Sequence, residues 1–94
     1  MNTSAAEKLG INEDLLRFGF PRKQQLALLA VIRKNDLTAY RKIQTYVRKL
    51  PDDSRRLSNR EIIAEKLWDV VVDMIVSGQV DPRVLHDSKL NPVW

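Results

Sequence analysis

Apolar residues recur along this chain with a period near 3.6, and polar or turn-forming residues divide them into short helical runs. The first run is Leu15, Leu16 and Phe18, which dock a short helix. Asn12 caps it, Glu13 and Asp14 fill the first turn, where acids suit the helix dipole, and Gly19 ends it. Pro21 suits the first position of the next helix, because its missing N–H has no helical partner there. That helix contains Leu26-Ala-Leu-Leu-Ala-Val-Ile32, apolar on nearly every side, which predicts a place in the middle of a bundle. Arg33 and Lys34 close it with charges that favour the C-terminal dipole end. Asn35 and Asp36 form the break, and Asp36 can cap the next helix.

Residues 37–50 carry the clearest division of faces. On a helical wheel drawn from Leu37, one half holds Leu37, Tyr40, Ile43, Tyr46, Val47 and Leu50. On the other half, Arg41 and Arg48 fall at about 20–40°, Thr45 at about 80°, and Lys42 and Lys49 at about 120–140°. That half therefore carries four cations and no acid. Ile43-Gln-Thr-Tyr-Val47 holds β-favouring residues, but the apolar spacing fits a helix better than a strand. Both tyrosines fall on the apolar half, which predicts that they pack inward.

Pro51-Asp-Asp-Ser54 reads as a loop, succeeded by Arg55 and Arg56. Ser58 and Glu61 then form a capping box, flanked by Leu57 and Ile62 as a hydrophobic staple, so a helix starts at Asn59. Its expected end is Ser77, with Gly78 as the left-handed stop. Ile63, Leu67, Val70, Val71, Met74 and Ile75 make a wide apolar arc with Trp68 at its edge; Glu65, Asp69 and Asp73 recur at i, i+4 and i+8 on the opposite side. The arc fits the centre of a monomer or, since short helices cover it poorly, a homodimer closed by Trp68, Val71, Ile75 and the terminal Trp94. Asp81-Pro82 starts a short last helix over Val84 and Leu85. The expected architecture is all-α: a compact bundle of about four main helices plus a short C-terminal helix. Residues 1–10 form a flexible arm and residues 11–94 a single domain.

Composition narrows the chemistry. The 94 residues include no cysteine, so disulfides, thiolate zinc sites and cysteine nucleophiles are excluded. No stretch approaches the roughly 20 apolar residues of a membrane span, and the first residues lack a signal-peptide pattern. A cytoplasmic protein is expected, with no membrane partner. His86 has no partner histidine and no nucleophile motif accompanies it, so no enzyme activity and no cofactor are expected. The acidic stripe is read as a solvated face or as pairing with arginines rather than as a metal site.

Charge is unevenly spread. From Arg17 to Arg60 there are twelve Lys or Arg against three acids, a local balance of +9, while residues 1–16 sum to −2 and residues 61–94 to −3. The cations come in doublets at 22/23, 33/34, 41/42, 48/49 and 55/56. Arg33-Lys34 are explained as a helix end and Arg22-Lys23 as flanks of a buried helix. The remaining doublets point to a polyanionic partner. The expected nucleic-acid contacts are Arg41, Lys42, Thr45, Arg48, Lys49, Arg55, Arg56 and Arg60, the last three at a helix N-terminus, where anions are favoured.

A helix-turn-helix over residues 22–50 suits the short break but lacks the usual turn glycine. A ribbon-helix-helix would need a shorter first helix and a longer second one. The segment Leu57–Leu67 is similar to helix starts in several bacterial regulators, a likeness that capping and amphipathicity explain, so it assigns no functional residue. The expected function is non-catalytic nucleic-acid binding, DNA before RNA, by a small regulator or accessory protein. The alternative is an adaptor or inhibitor whose basic face meets an acidic protein surface.

Overall fold

The computed structural model describes Gly10, residues 12–51, residues 57–87 and Leu90. The chain folds as an all-α compact bundle, with no strand among the described residues. Its elements are a π-helical turn over Leu15–Gly19, α1 over Arg22–Asn35, α2 over Leu37–Val47, α3 over Asn59–Lys66, α4 over Trp68–Val76 and a 3₁₀ helix over Pro82–His86. Helices α1, α2 and α3 pack against one another in pairs, the 3₁₀ helix lies against α1, and the π-helical turn lies against α4. Most of residues 1–10 fall outside the described residues, as do Arg55, Arg56 and Trp94.

Local chemistry sets most of the boundaries. The Asn12 Oδ1 accepts the Leu15 N–H at 3.1 Å, which caps the first turn as expected. That turn then widens into a π-helix, and Pro21 ends it. A residue before proline is pushed to extended backbone, and Phe20 has φ −80° and ψ 116°. Gly19 thus precedes the stop rather than making it. Pro21 itself caps α1, one position outside the helix, with its carbonyl accepting the Gln25 N–H at 2.9 Å. Asp36 caps α2 through Oδ1 to the Ala39 N–H at 3.2 Å. Ser58 caps α3, its Oγ accepting the Glu61 N–H at 3.3 Å while its hydroxyl donates to Glu61 Oε1 at 3.0 Å. Gly78, at φ +83°, reverses the chain after α4, and the Val80 N–H returns to the Met74 carbonyl at 3.0 Å. Asp81 caps the 3₁₀ helix through the Arg83 N–H at 3.0 Å.

Further expectations change. The helix from Asn59 does not run unbroken to Ser77. It breaks at Leu67, which has φ −126° and ψ 16°. The hydrogen bonds Leu67 N–H to Ile63 O (2.9 Å) and Val71 N–H to Leu67 O (3.1 Å) bracket the break, so little pairing is lost. The reason lies in packing. Drawn on one straight helix, the buried stripe of α3 centres near Ile63, while that of α4 is rotated from it by roughly 110°. A straight rod would expose one of the two stripes. The break lets both face the core.

Phe18 does not dock. It is 81% exposed, and Phe20 takes the inner place, stacked on Trp68 with ring centroids 5.9 Å apart and planes 12° from parallel. The extra residue in the wide π turn carries Phe18 outward, and the extended backbone at Phe20 brings its ring back in.

Three of the residues named for a dimer seam, Trp68, Val71 and Ile75, are buried within the chain. Val71 and Ile75 have no exposure and Trp68 has 7%. They pack with Leu16, Leu28, Leu29, Ile32, Ile43 and Leu85 in one core that holds no buried polar or charged residue. Their burial matches the reading of the arc as the centre of a monomer; Trp94, the fourth residue expected at a dimer seam, lies outside the described residues.

Trp68 also ties the start of α4 to the π-helical turn. Its indole N–H donates to the Leu16 carbonyl at 2.9 Å, in a buried position. Five residues after Leu16 stands Pro21, which has no N–H to complete a π-type bond, so the indole supplies the donor that the backbone lacks. Trp68→Phe keeps a ring to stack on Phe20 but leaves that carbonyl unpaired. The expected cost is about 1–3 kcal/mol, read as a lower urea midpoint by circular dichroism with an unchanged m-value.

Candidate nucleic-acid interface

The cations of α2 stand where the apolar pattern put them. Ala39, Tyr40 and Ile43 point into the core, and Val47 and Leu50 are half-buried against it. On the opposite side Thr38, Arg41, Lys42, Thr45, Arg48 and Lys49 are exposed. Arg48 and Lys49 lie just past the regular helix, in a last turn held by Arg48 N–H to Gln44 O (3.3 Å) and Lys49 N–H to Tyr46 O (3.1 Å). That turn keeps them in helical register with Arg41 and Lys42. None of the four cations forms an ion pair among the described residues.

Thr45 sits between the two rows of cations, with its hydroxyl donating to the Lys42 carbonyl at 2.6 Å. This bond turns the threonine back onto its own helix. Arg60 is exposed in the first turn of α3, and no described contact ties it to the face of α2. Arg55 and Arg56 lie outside the described residues. The structure therefore assembles Arg41, Lys42, Thr45, Arg48 and Lys49 on one face, while Arg60 stands on a separate helix start.

Two further residues flank this face. The Arg33 guanidinium lies over the Tyr40 ring, 6.0 Å from its centroid, so the end of α1 adds a cation along the edge nearest Arg41 and Arg48. By its position in the sequence Arg33 reads as a helix end alone. Its approach to α2 depends on the angle of the one-residue break at Asp36, which no local pattern encodes. At the opposite edge, Tyr46 is 42% exposed with the Lys49 ammonium 5.5 Å from its ring centroid. The inward place expected for Tyr46 is not taken; its wheel position of about 180° is the boundary of the apolar half, and the core reaches only Tyr40 and Ile43 fully. Leu37, on the other boundary, is 45% exposed.

One arginine of the basic stretch has a different fate. Arg17 bonds Glu13 at 2.9 Å, Asp69 at 3.0 Å and Asp73 at 2.7 Å. The hydrogen bonds to Asp73, Glu13 and Asp69 hold its guanidinium well above its ordinary pKa. The acidic stripe is therefore internal pairing at Asp69 and Asp73. Glu65 lies across the break at Leu67, on α3, so the three acids do not share one straight helix.

A concavity of about 330 Å³ lies between the α1–α2 corner and the 3₁₀ helix, lined by Asn35, Asp36, Asp81, Arg83, Val84, His86 and Asp87. Asp36 is committed to its cap, and Arg83 grips Asp81 in a bidentate pair, Nε to Oδ1 at 3.1 Å and Nη2 to Oδ2 at 2.6 Å, that holds the carboxyl below its usual pKa. Both carboxylates serve chain geometry. No helix among the described residues is long and apolar enough to cross a membrane.

No protein-family model, curated protein or solved structure matches the chain.

The contrast between Arg17 and the α2 cations is measurable. Arg17→Ala should lower stability by about 1 kcal/mol, less at high salt because Asp69 and Asp73 are mostly exposed. Arg41→Ala and Arg48→Ala should each stay within about 0.5 kcal/mol of the parent. Urea unfolding at low and high salt reads both.

Proposed function

We propose that the chain is a non-catalytic nucleic-acid-binding protein, a small regulator or accessory factor that docks the outer face of α2 on phosphates. The reading rests on one observation. Arg41, Lys42, Arg48 and Lys49 share an exposed face, have no acidic partner among the described residues, and have no acid between them. The same chain pairs Arg17 with three carboxylates, so acids are at hand where structure requires them. Cations left unpaired in a row along one helix produce a positive potential that attracts a polyanion and releases its counterions on contact. Arg33 extends the row at one edge. Arg60, with Arg55 and Arg56 preceding it in sequence, would lengthen the footprint at the start of α3.

A second reading is an acidic protein surface. The partly exposed Leu37 beside the cations favours it, because an apolar residue at the rim gains more from a protein groove than from phosphates. Salt and charge reversal separate the two. If about six phosphates are contacted, log affinity for a generic DNA duplex should fall with log salt at a slope near −5. The double variant Arg41→Glu, Arg48→Glu should abolish binding while its circular dichroism stays unchanged. Absence of any complex with DNA or RNA at low salt would overturn the nucleic-acid reading. Loss seen only in Arg55→Glu, Arg56→Glu would move the contact surface off α2.

A further inference from the structure

The edge of the basic face that carries Tyr46 says what form of nucleic acid suits it. Phe18, Leu37 and Tyr46 are the large apolar side chains that the described residues leave exposed, and Tyr46 is the aromatic one on α2. The residue is 42% exposed, and on the wheel it stands next to the row formed by Lys42 and Lys49. The Lys49 ammonium lies 5.5 Å from the ring centroid, so a cation and an open aromatic surface are presented together.

For reading base edges in a duplex the face relies on its cations and Thr38, because two of its uncharged polar side chains are held back. Groove readout needs side chains free to bond base edges. Thr45 spends its hydroxyl proton on the Lys42 carbonyl at 2.6 Å, and Gln44, beside Arg48 on the wheel, is half-buried. In a duplex the faces of the bases are covered by their neighbours, so an aromatic ring gains nothing from them. An unpaired base offers that surface. Every base has one, so recognition by a ring between cations tolerates any sequence.

Resting on the phosphate-binding reading above, we propose that α2 takes single-stranded nucleic acid, with one base stacked on Tyr46 and the flanking phosphates held by Lys42, Lys49, Arg41 and Arg48. Lys49, already beside the ring, meets the phosphate next to the stacked base. The face combines backbone neutralisation with one stacking platform, and its preference is for unpaired over paired bases rather than for a sequence.

The test uses fluorescence anisotropy with the full chain and three labelled ligands of about a dozen residues, within the usual site size. They are oligothymidylate, a duplex of equal length and an abasic strand of equal charge. The single strand should bind tighter than the duplex and the abasic strand. Tyr46→Leu should weaken the single strand roughly 5- to 100-fold and leave the duplex unchanged. Tyr46→Phe should retain the parent affinity, and unchanged circular dichroism of both variants shows that folding is not the cause. A single strand bound no tighter than the duplex, or no loss in Tyr46→Leu, would overturn the stacking proposal while leaving the phosphate reading intact. No binding to any of the three ligands would remove both.

Discussion

An indole N–H aimed at one backbone carbonyl holds this bundle together across most of its length. Trp68 donates to Leu16, 52 residues earlier in the chain. The bond satisfies a carbonyl left over by a π turn that ends at a proline, and it brings Phe20 onto the Trp68 ring. It also sits directly after the break at Leu67, which turns α4 so that its apolar stripe meets the core. Remove the break and Trp68 no longer faces Leu16. Remove the bond and a buried acceptor is left in a core that contains no other polar side chain to take its place. Arg17, one residue after Leu16, fastens the same junction from outside through Asp69 and Asp73.

That junction sorts the charge of the molecule. A core made only of hydrophobic side chains forces every charged residue outward. Once there, the charges take two courses. Near the π turn, acids and Arg17 neutralise one another and serve the fold. Along α2 the cations form no ion pair among the described residues, and Lys49 lies against the Tyr46 ring. Like charges along one helix cost some self-repulsion. The Tyr46 ring at its edge adds a surface that charge alone would not need.

Much of this was legible in the sequence where the cause is local. Asn12, Asp36, Ser58 and Asp81 cap as their side chains imply, because a cap is a bond to a backbone N–H two or three residues away. Gly78 stops α4 because a positive φ is cheap only for glycine. The basic face of α2 was legible for the same reason: a helix converts spacing directly into direction. Tyr46 escapes such a reading because a wheel gives direction but not how far the neighbouring elements reach, and a residue on the boundary is decided by that reach.

The amino-acid pattern by itself determined an all-α chain, the caps and breaks between most of its helices, and the direction in which Arg41, Lys42, Arg48 and Lys49 point. Tertiary structure alone decided the π turn, the break at Leu67, the exchange of Phe18 for Phe20 in the core and the burial of Trp68, Val71 and Ile75 within one chain. It also decided which arginine of the basic stretch would be spent on structure. The division has one physical reason. Capping and helical periodicity act between residues a few positions apart, whereas the fate of Leu16, Arg17 and Trp68 depends on partners more than fifty residues away, which meet only when the whole core closes.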